Sequence, residues 1–380
     1  MLTLKKFFSL LSSLFIYLLC SCGSGSSGNN SSDGANTDPI WSCTNQDNDV
    51  FDLPSIQASG EIIMLTLSGP DTYYDYHGKN LGTQYLLSLR LANHLGVGLR
   101  VEVCKDSLNI MQRLNEGDGD IAGIDSLGNW VVAPHKDMLR KAINTWYSPT
   151  MLEEVKEYEQ KLLSGEAVKR KVYAPMLNKK RGMISKYDNL FRTYSNSIRW
   201  DWRLIAAQCY QESTFDPDAQ SWAGALGLMQ IMPSTADHLG LSLSDIHDPE
   251  SNISAACRFL AELEQKFSDI PLRDERINFI LAAYNCGPLH LRDAMALTEK
   301  HGGNPHRWSD VSPYVLKLSE SQYYTDPVVK HGYMRGNETV DYVTKIRQRW
   351  QTYRSAAPER TGGSSPLTPR RATKSTDKYE

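Results

Sequence analysis

The chain has almost no surplus of charge. Its 380 residues carry 41 Lys and Arg against 44 Asp and Glu, a formal net charge of −3. That balance argues against the basic surface by which a protein neutralises nucleic-acid phosphates, so no nucleic-acid partner is expected. Cysteine is sparse, with seven in all, and no CxxC pair or His/Cys cluster stands at metal-ligand spacing. Neither a metal nor a cofactor is expected, and His290, His301 and His306 read as loop or surface residues. The apolar run at the start is also short. Phe7–Leu19 follows Lys5 and Lys6 and falls short of a comfortable bilayer span. It reads as a secretory leader.

That leader ends in Leu19-Cys20-Ser21-Cys22-Gly23. Leu at minus three and Ser at minus one of Cys22 fit a bacterial lipoprotein cleavage site. Cys20 fits less well, because Tyr17 and Leu19 would take those positions. An ordinary cleaved leader is the plain alternative. The expected organisation is a lipoprotein signal over residues 1–21, lipidation at Cys22, and a flexible tether over 22–58 that opens Gly/Ser/Asn-rich. At the other end, residues 355–380 are rich in Ser, Thr, Pro and basic side chains and should be disordered. Their positive bias suits anionic wall or lipid headgroups, although a solvated tail without function is the simpler account.

Two folded regions lie between, at 59–175 and 180–354, and together they predict an α+β protein. In the first, Glu61–Leu67 reads as a buried strand and Leu81–Leu95 as a helix closed by Gly96. Leu99–Cys104 reads as a second strand, Ser107–Asn115 as a helix opened by a Ser cap, and Gly119–Ile124 as a third strand. The βαβαβ order implies a parallel sheet. Asn129–Lys136 returns the chain to that sheet, and helices at Ala142–Trp146 and Met151–Leu163 close the region. Cys43 and Cys104 are the plausible disulfide pair outside the second region, although sequence does not establish the bond.

The second region carries the chemistry. Asp201 can cap a helix over Trp202–Glu212, with Trp202, Ile205, Ala206 and Cys209 at helical spacing. Glu212 follows Ile205 by seven residues and so falls on about the same face. Desolvation there, and the negative end of the helix dipole, both raise a carboxyl pKa and favour the neutral acid. A loop with Gly224 and Gly227 follows, from Ser221 through Leu228-Met229-Gln230-Ile231-Met232-Pro233. Glycine there permits close backbone approach, whether by a ligand or in a plain tight turn. A helix from about Arg273 ends at Ala283-Tyr284-Asn285-Cys286-Gly287-Pro288, where Asn285 reads as a cap or turn residue. A further helix, Gly336–Ile346, buries Val340, Val343 and Ile346, with Tyr342 off that stripe. Cys209, Cys257 and Cys286 read as small buried groups.

These segments together resemble the lytic murein transglycosylases, family 23 glycoside hydrolases with the fold of goose-type lysozyme. The family's Gln-Glu-Ser, Ser-x-Ala-Gly-Ala-x-Gly-Leu-Met-Gln-Ile-Met-Pro, Ala-Tyr-Asn-x-Gly and Glu-Thr-x-x-Tyr-Val elements stand in that order over about Trp200–Trp350. The resemblance implies a mostly α-helical, lysozyme-like catalytic domain with Glu212 as acid and base. It places Ser221, Gly227, Gln230, Met232, Tyr284, Asn285 and Tyr342 along a saccharide groove. The substrate would be the peptidoglycan glycan strand, with further cell-wall enzymes or scaffolds as possible partners. Gly332–Gly336 and Trp308–Val311 fit a membrane-bound branch whose members carry a solute-binding domain. The first region resembles half of such a periplasmic domain, a small α/β lobe. Most of the second lobe is missing, so ligand sensing gives way to a scaffold or docking role.

The resemblance also implies a location in the bacterial cell envelope, lipid-anchored at the outer membrane and facing the periplasm. An ordinary glycosidase uses two carboxyl groups. Apart from Asp216 and Asp218, which read as turn formers around Pro217, no second acidic residue is singled out. Three functions stay open: a lytic transglycosylase, a hydrolytic muramidase on the same fold, and a non-catalytic wall-binding lipoprotein. The retention of Glu212, Ser221, Gln230 and Asn285 disfavours the last.

Overall fold

The computed structural model describes residues 51–123, 130–164 and 176–358. The leader, Cys22, Cys43 and the C-terminal tail from residue 359 lie outside the described residues.

The chain enters through α1 (Leu53–Ser59), capped by the Asp52 carboxylate. Residues 53–58 were expected to be tether. They are helical instead, because Pro54 near the helix start and the Asp52 cap start a turn whose Ile56 is fully buried. Three parallel strands follow: β1 (Glu61–Thr66), β4 (Gly98–Val103) and β5 (Ile121–Gly123). Between β1 and β4 come a short hairpin, β2 (Tyr74–Tyr76) with β3 (Lys79–Leu81), and then α2 (Thr83–Leu95). The helix α3 (Ser107–Glu116) links β4 to β5. Its cap is Asp106, one residue before the expected Ser107, and the Asp106 carboxylate accepts from Asn109 N at 2.8 Å. The strand β6 (Trp130–Val132) returns antiparallel to β5, which gives the sheet order β4-β1-β5-β6.

Alternation along β1 sends Ile62 and Met64 to one face and Leu65 to the other. The first face packs on α1, α2 and α4 (Asp137–Trp146), and the second on Ile110 and Leu114 of α3. Lys136 pairs with Asp120 at 2.8 Å, both buried, and Lys136 also donates to Phe51 O at 2.6 Å. α5 (Pro149–Leu163) covers α2. Cys104 is buried, and Cys43, the partner considered for it, lies outside the described residues.

The region 176–358 is mostly helical. α6 (Asp188–Ser195), α7 (Trp202–Ser213), α8 (Pro233–His238), α9 (Pro249–Lys266) and α10 (Arg273–Cys286) come first. α11 (Pro288–Lys300), α12 (Trp308–Lys317), α13 (Ser321–Tyr324) and α14 (Gly336–Ala356) complete it. α7 is the central helix, with Leu204 to Ala207 and Cys209 all inaccessible, and it packs on α6 and α14. The Asp201 carboxylate caps α7 and also accepts from Trp350 Nε1 of α14 at 2.9 Å, which fixes the two helices together.

The buried stripe of α14 is Thr339, Tyr342, Val343, Ile346, Trp350 and Tyr353. Tyr342 therefore lies on the stripe, only 5% exposed, while Val340 is half-buried. The expected stripe was rotated by part of a turn, because contact with α7 rather than hydrophobicity alone selects the face. Among the described residues, no helix is long and apolar enough to cross a membrane.

The lobe and the helical region are joined by packed aromatics. Tyr74 of β2 meets Tyr333 edge-on with centroids 4.9 Å apart, and Tyr333 meets Tyr324 at 5.5 Å. Tyr333 N donates to Ser68 Oγ at 2.9 Å. Buried Glu159 of α5 accepts from the Tyr74 hydroxyl at 2.8 Å and from Gly82 N at 3.1 Å.

Candidate active site

α7 ends where Thr214 turns into the left-handed conformation, φ +54°, and this leaves Glu212 half-buried at the helix end. The glycine-rich loop folds back over it. Gln230, itself at φ +48°, uses its Nε2 to donate to Gly227 O at 2.9 Å and Ala219 O at 3.1 Å. Ser221 Oγ accepts from Ala225 N at 2.9 Å. Buried Asn252 of α9 accepts from Met229 N at 2.8 Å and donates to Ile246 O at 2.7 Å. The loop is thus a latched structure with its own internal bonds.

Tyr284, near the end of α10, donates to Met229 O at 2.9 Å. Tyr342 of α14 donates to Glu212 Oε1, and Gln208 Nε2 donates to the Tyr342 oxygen at 3.1 Å. Burial, and then the charge of Glu212, push both tyrosine hydroxyls well above their usual range. Both remain protonated donors at any physiological pH. Burial likewise pushes up the free thiols of Cys257 and Cys286, each to about 12, so neither is a nucleophile. Asn285 Oδ1 accepts from Thr339 Oγ1 at 2.7 Å, which ties α10 to α14 and makes Asn285 a bridge rather than a simple turn residue.

These groups line one cleft of ≈ 540 Å³. Glu212, Ser221, Gln230, Met232, Tyr284, Asn285 and Tyr342 all face it. Gly227 does not. A Cβ there would lie 2.4 Å from Asn252 Nδ2 and 2.6 Å from Ile246 O, so its lack of a side chain serves the latch. The Asp216 carboxylate accepts from Asp218 N at 3.1 Å, the contact of a turn. Among the described residues no cluster of three or more His, Cys, Asp or Glu could hold a metal ion. His290 lies within α11 and is half-buried, not in a loop, and burial lowers its pKa.

The opposite wall was not legible in the motifs. It is the β2–β3 hairpin of the α/β lobe: Asp75, Tyr76, His77 and Gly78 all line the cleft. His77 and Gly78 take φ +51° and +71°, the two left-handed positions of a tight two-residue turn. Tyr76 stacks on Trp222 with centroids 5.8 Å apart and planes 14° from parallel.

The Tyr76 hydroxyl donates to Glu338 Oε2, and His77 Nε2 lies 3.2 Å from Glu338 Oε1. Burial alone would lower the His77 pKa, but the Glu338 hydrogen bond and charge outweigh it and the net shift is upward. Burial would raise Glu338, and His77, Tyr76 and Arg335 outweigh it, so its carboxyl lies below the usual range. Glu338 begins the Glu-Thr-x-x-Tyr-Val element, and with Asp75 it adds two carboxylates to the cleft beside Glu212. Its presence inside a matched motif was the available signal.

The helices thus bring the Glu212 carboxyl against Tyr342 beside a latched glycine loop. Residues 189–306, within the helical region, match the family model described as "Transglycosylase SLT domain". Among individual proteins, the chain is 43% identical over 166 residues to the membrane-bound lytic murein transglycosylase F of Klebsiella pneumoniae, covering 44% of this chain and 31% of that one. It is 38% identical over 176 residues to the protein of the same name from Aeromonas hydrophila, covering 46% and 34%. The chain therefore spans about a third of the length of these curated relatives. The crystal structure of the 70 kDa soluble lytic transglycosylase from Escherichia coli overlaps 57% of this chain and 29% of its own, at 23% identity and a TM-score of 0.31.

Proposed function

We propose that this protein is a peptidoglycan lytic transglycosylase that cleaves the bond between N-acetylmuramic acid and N-acetylglucosamine without water. The observation that carries this is the Gln208–Tyr342–Glu212 chain at the head of the cleft. Tyr342 holds the Glu212 carboxyl by one oxygen from a rigid, buried position, which fixes the orientation a proton donor needs.

In the reaction, Glu212 gives its proton to the glycosidic oxygen as the bond to C1 breaks. The resulting carboxylate then takes the proton of the same sugar's C6 hydroxyl. The C6 oxygen bonds to C1 and closes a 1,6-anhydro ring. One residue acts first as acid and then as base, and no water enters the balance. The N-acetyl group of the substrate, or hydrogen bonds to an oxocarbenium-like centre, stand in for the usual second carboxylate. Glu338 and Asp75 lie in the same cleft, but Tyr76 and His77 engage the two Glu338 oxygens, and Asp75 Oδ1 accepts from Gly78 N at 3.2 Å. That favours the single-carboxyl reaction over hydrolysis, where a free general base must activate water.

The matched relatives are named membrane-bound, and the Cys20–Cys22 sequence agrees with lipidation at Cys22. We place the enzyme in the cell envelope at the outer membrane, facing the periplasmic wall. The domain plan of signal, tether, α/β lobe, catalytic domain and tail belongs to the same proposal.

The test is digestion of purified peptidoglycan by the full chain, with mass spectrometry of the products. Anhydro-muropeptides from the wild type and none from Glu212→Gln are the expected result. Reducing-end products would make it a muramidase, and no products from either would favour the binding-protein alternative.

A further inference from the structure

Beside the main cleft, and sharing seven lining residues with it, is a smaller pocket of ≈ 30 Å³. Arg335, Asn285, His77, His290, Asp75 and Glu338 are among its walls. The two carboxylates there are already engaged by the hairpin. Glu338 binds Tyr76 and His77, and Asp75 Oδ1 accepts from Gly78 N at 3.2 Å. Asn285 has its amide oxygen taken by Thr339.

Arg335 is different. Its guanidinium lies over the Tyr76 ring, 5.4 Å from the centroid; its charge acts on Glu338 and Glu159 at a distance, but among the described residues it makes no hydrogen bond or ion pair. Glu338 stands only three residues along and is nevertheless bound elsewhere. A cation held in place by an aromatic face, lining a cleft, with its N–H donors unspent, is arranged to receive an anion from outside. A planar guanidinium matches a carboxylate with two parallel hydrogen bonds.

We propose that this side pocket takes a carboxylate of the substrate. Arg335 is the principal donor, with the Asn285 amide beside it, and the contact selects carboxylate-bearing muramyl residues over neutral amino sugars. The inference rests on the peptidoglycan reading above and deepens it. In such a glycan the carboxylate has two sources: the lactyl arm of a residue that has lost its peptide, or the stem peptide itself. Tyr76 and His77 belong to the α/β lobe, so the lobe shapes this selectivity by holding Arg335 in place and by occupying Glu338.

The experiment uses the full chain carrying Glu212→Gln, so that bound glycans are not cleaved. It is titrated calorimetrically with three oligosaccharides of equal length. One bears stem peptides, one has free lactyl carboxylates, and one is a neutral N-acetylglucosamine oligomer. Adding Arg335→Gln should weaken binding of one carboxylate-bearing ligand about ten- to hundredfold. The neutral oligomer should change by less than about threefold on the same scale. The ligand that suffers identifies the source, and Arg335→Lys should restore part of the loss because it keeps the charge without the planar fork. An equal loss on all three ligands, or no loss on either charged one, overturns the proposal. Its failure is distinct from that of the enzyme reading: absence of anhydro products from the wild type would sink the latter while a charge-selective Arg335 effect stood.

Discussion

At the scale of single residues, positions with the same sequence signature serve different ends. Gly224 and Gly227 belong to one glycine-rich loop, both at positive φ, and read alike as room for a ligand or as a plain tight turn. Yet Gly227 makes room for Asn252 and Ile246, deep under the loop. Gly227→Ala should destabilise the protein by about 2 kcal/mol or more, through strain and overpacking together. Urea denaturation should show the loss as a lower midpoint at unchanged m-value. Glu212 was legible because a carboxyl at the end of an apolar helix is unusual and its motif is specific. Glu338 was passed over because a glutamate in the first turn of a helix is commonplace, where it favours the positive end of the dipole. Only the partner across the cleft distinguishes it. Tyr342 was misplaced for a related reason: hydrophobicity ranks a tyrosine below valine, whereas packing on α7 decides which face of α14 is covered.

At the scale of elements, long helices and alternating strands were readable, and short elements were not. The strands β1, β4 and β5 and the helices α7, α10 and α14 lie close to where apolar periodicity puts them. The β2–β3 hairpin escaped, because three-residue strands carry too little alternation and its turn is His-Gly rather than the stronger Asn-Gly.

That hairpin is fastened by an ion pair with a defined pH window. His77 titrates above its ordinary 6.5, so its contribution is complete below 6.5 and is lost as pH rises through the raised value. Glu338 titrates below its ordinary 4.5, so its contribution is present above 4.5 and is lost as pH falls through the lowered value. Glu212 and Asp75 add to the upward pull on His77. In an NMR titration the His77 ring protons should show a midpoint above 6.5. Glu338→Gln should bring that midpoint down, and hydrogen exchange at the hairpin amides should quicken on the alkaline side. A midpoint unmoved by Glu338→Gln would contradict the pairing.

At the scale of the whole molecule, the join between lobe and helices combines the polar contacts of the hairpin with a cluster of tyrosines. Tyr333 is 9% exposed and touches both Tyr74 and Tyr324. Tyr333→Ala should cost about 3–5 kcal/mol, the usual loss for a buried aromatic. Because that loss falls at the seam, calorimetry should resolve the single unfolding transition into two. A single transition shifted as a whole would mean that the regions are coupled elsewhere. The general plan of an α/β lobe before a helical domain was legible from the order of elements and from the four motifs. The docking of the lobe was not, since it depends on contacts between residues far apart in sequence: Tyr76 meets Glu338, and Ser68 meets Tyr333.

The hairpin wall has one more consequence. Every motif singled out in the sequence lies in the helical region, and the hairpin that also lines the cleft is borrowed from a separate stretch of chain. Cut free of the lobe, the helices would keep their acid, their loop and their tyrosines and would present an open gutter. Intact, they present a slot. A fragment chosen by its motifs alone would therefore retain the blade and lose the gauge that sets what passes beneath it.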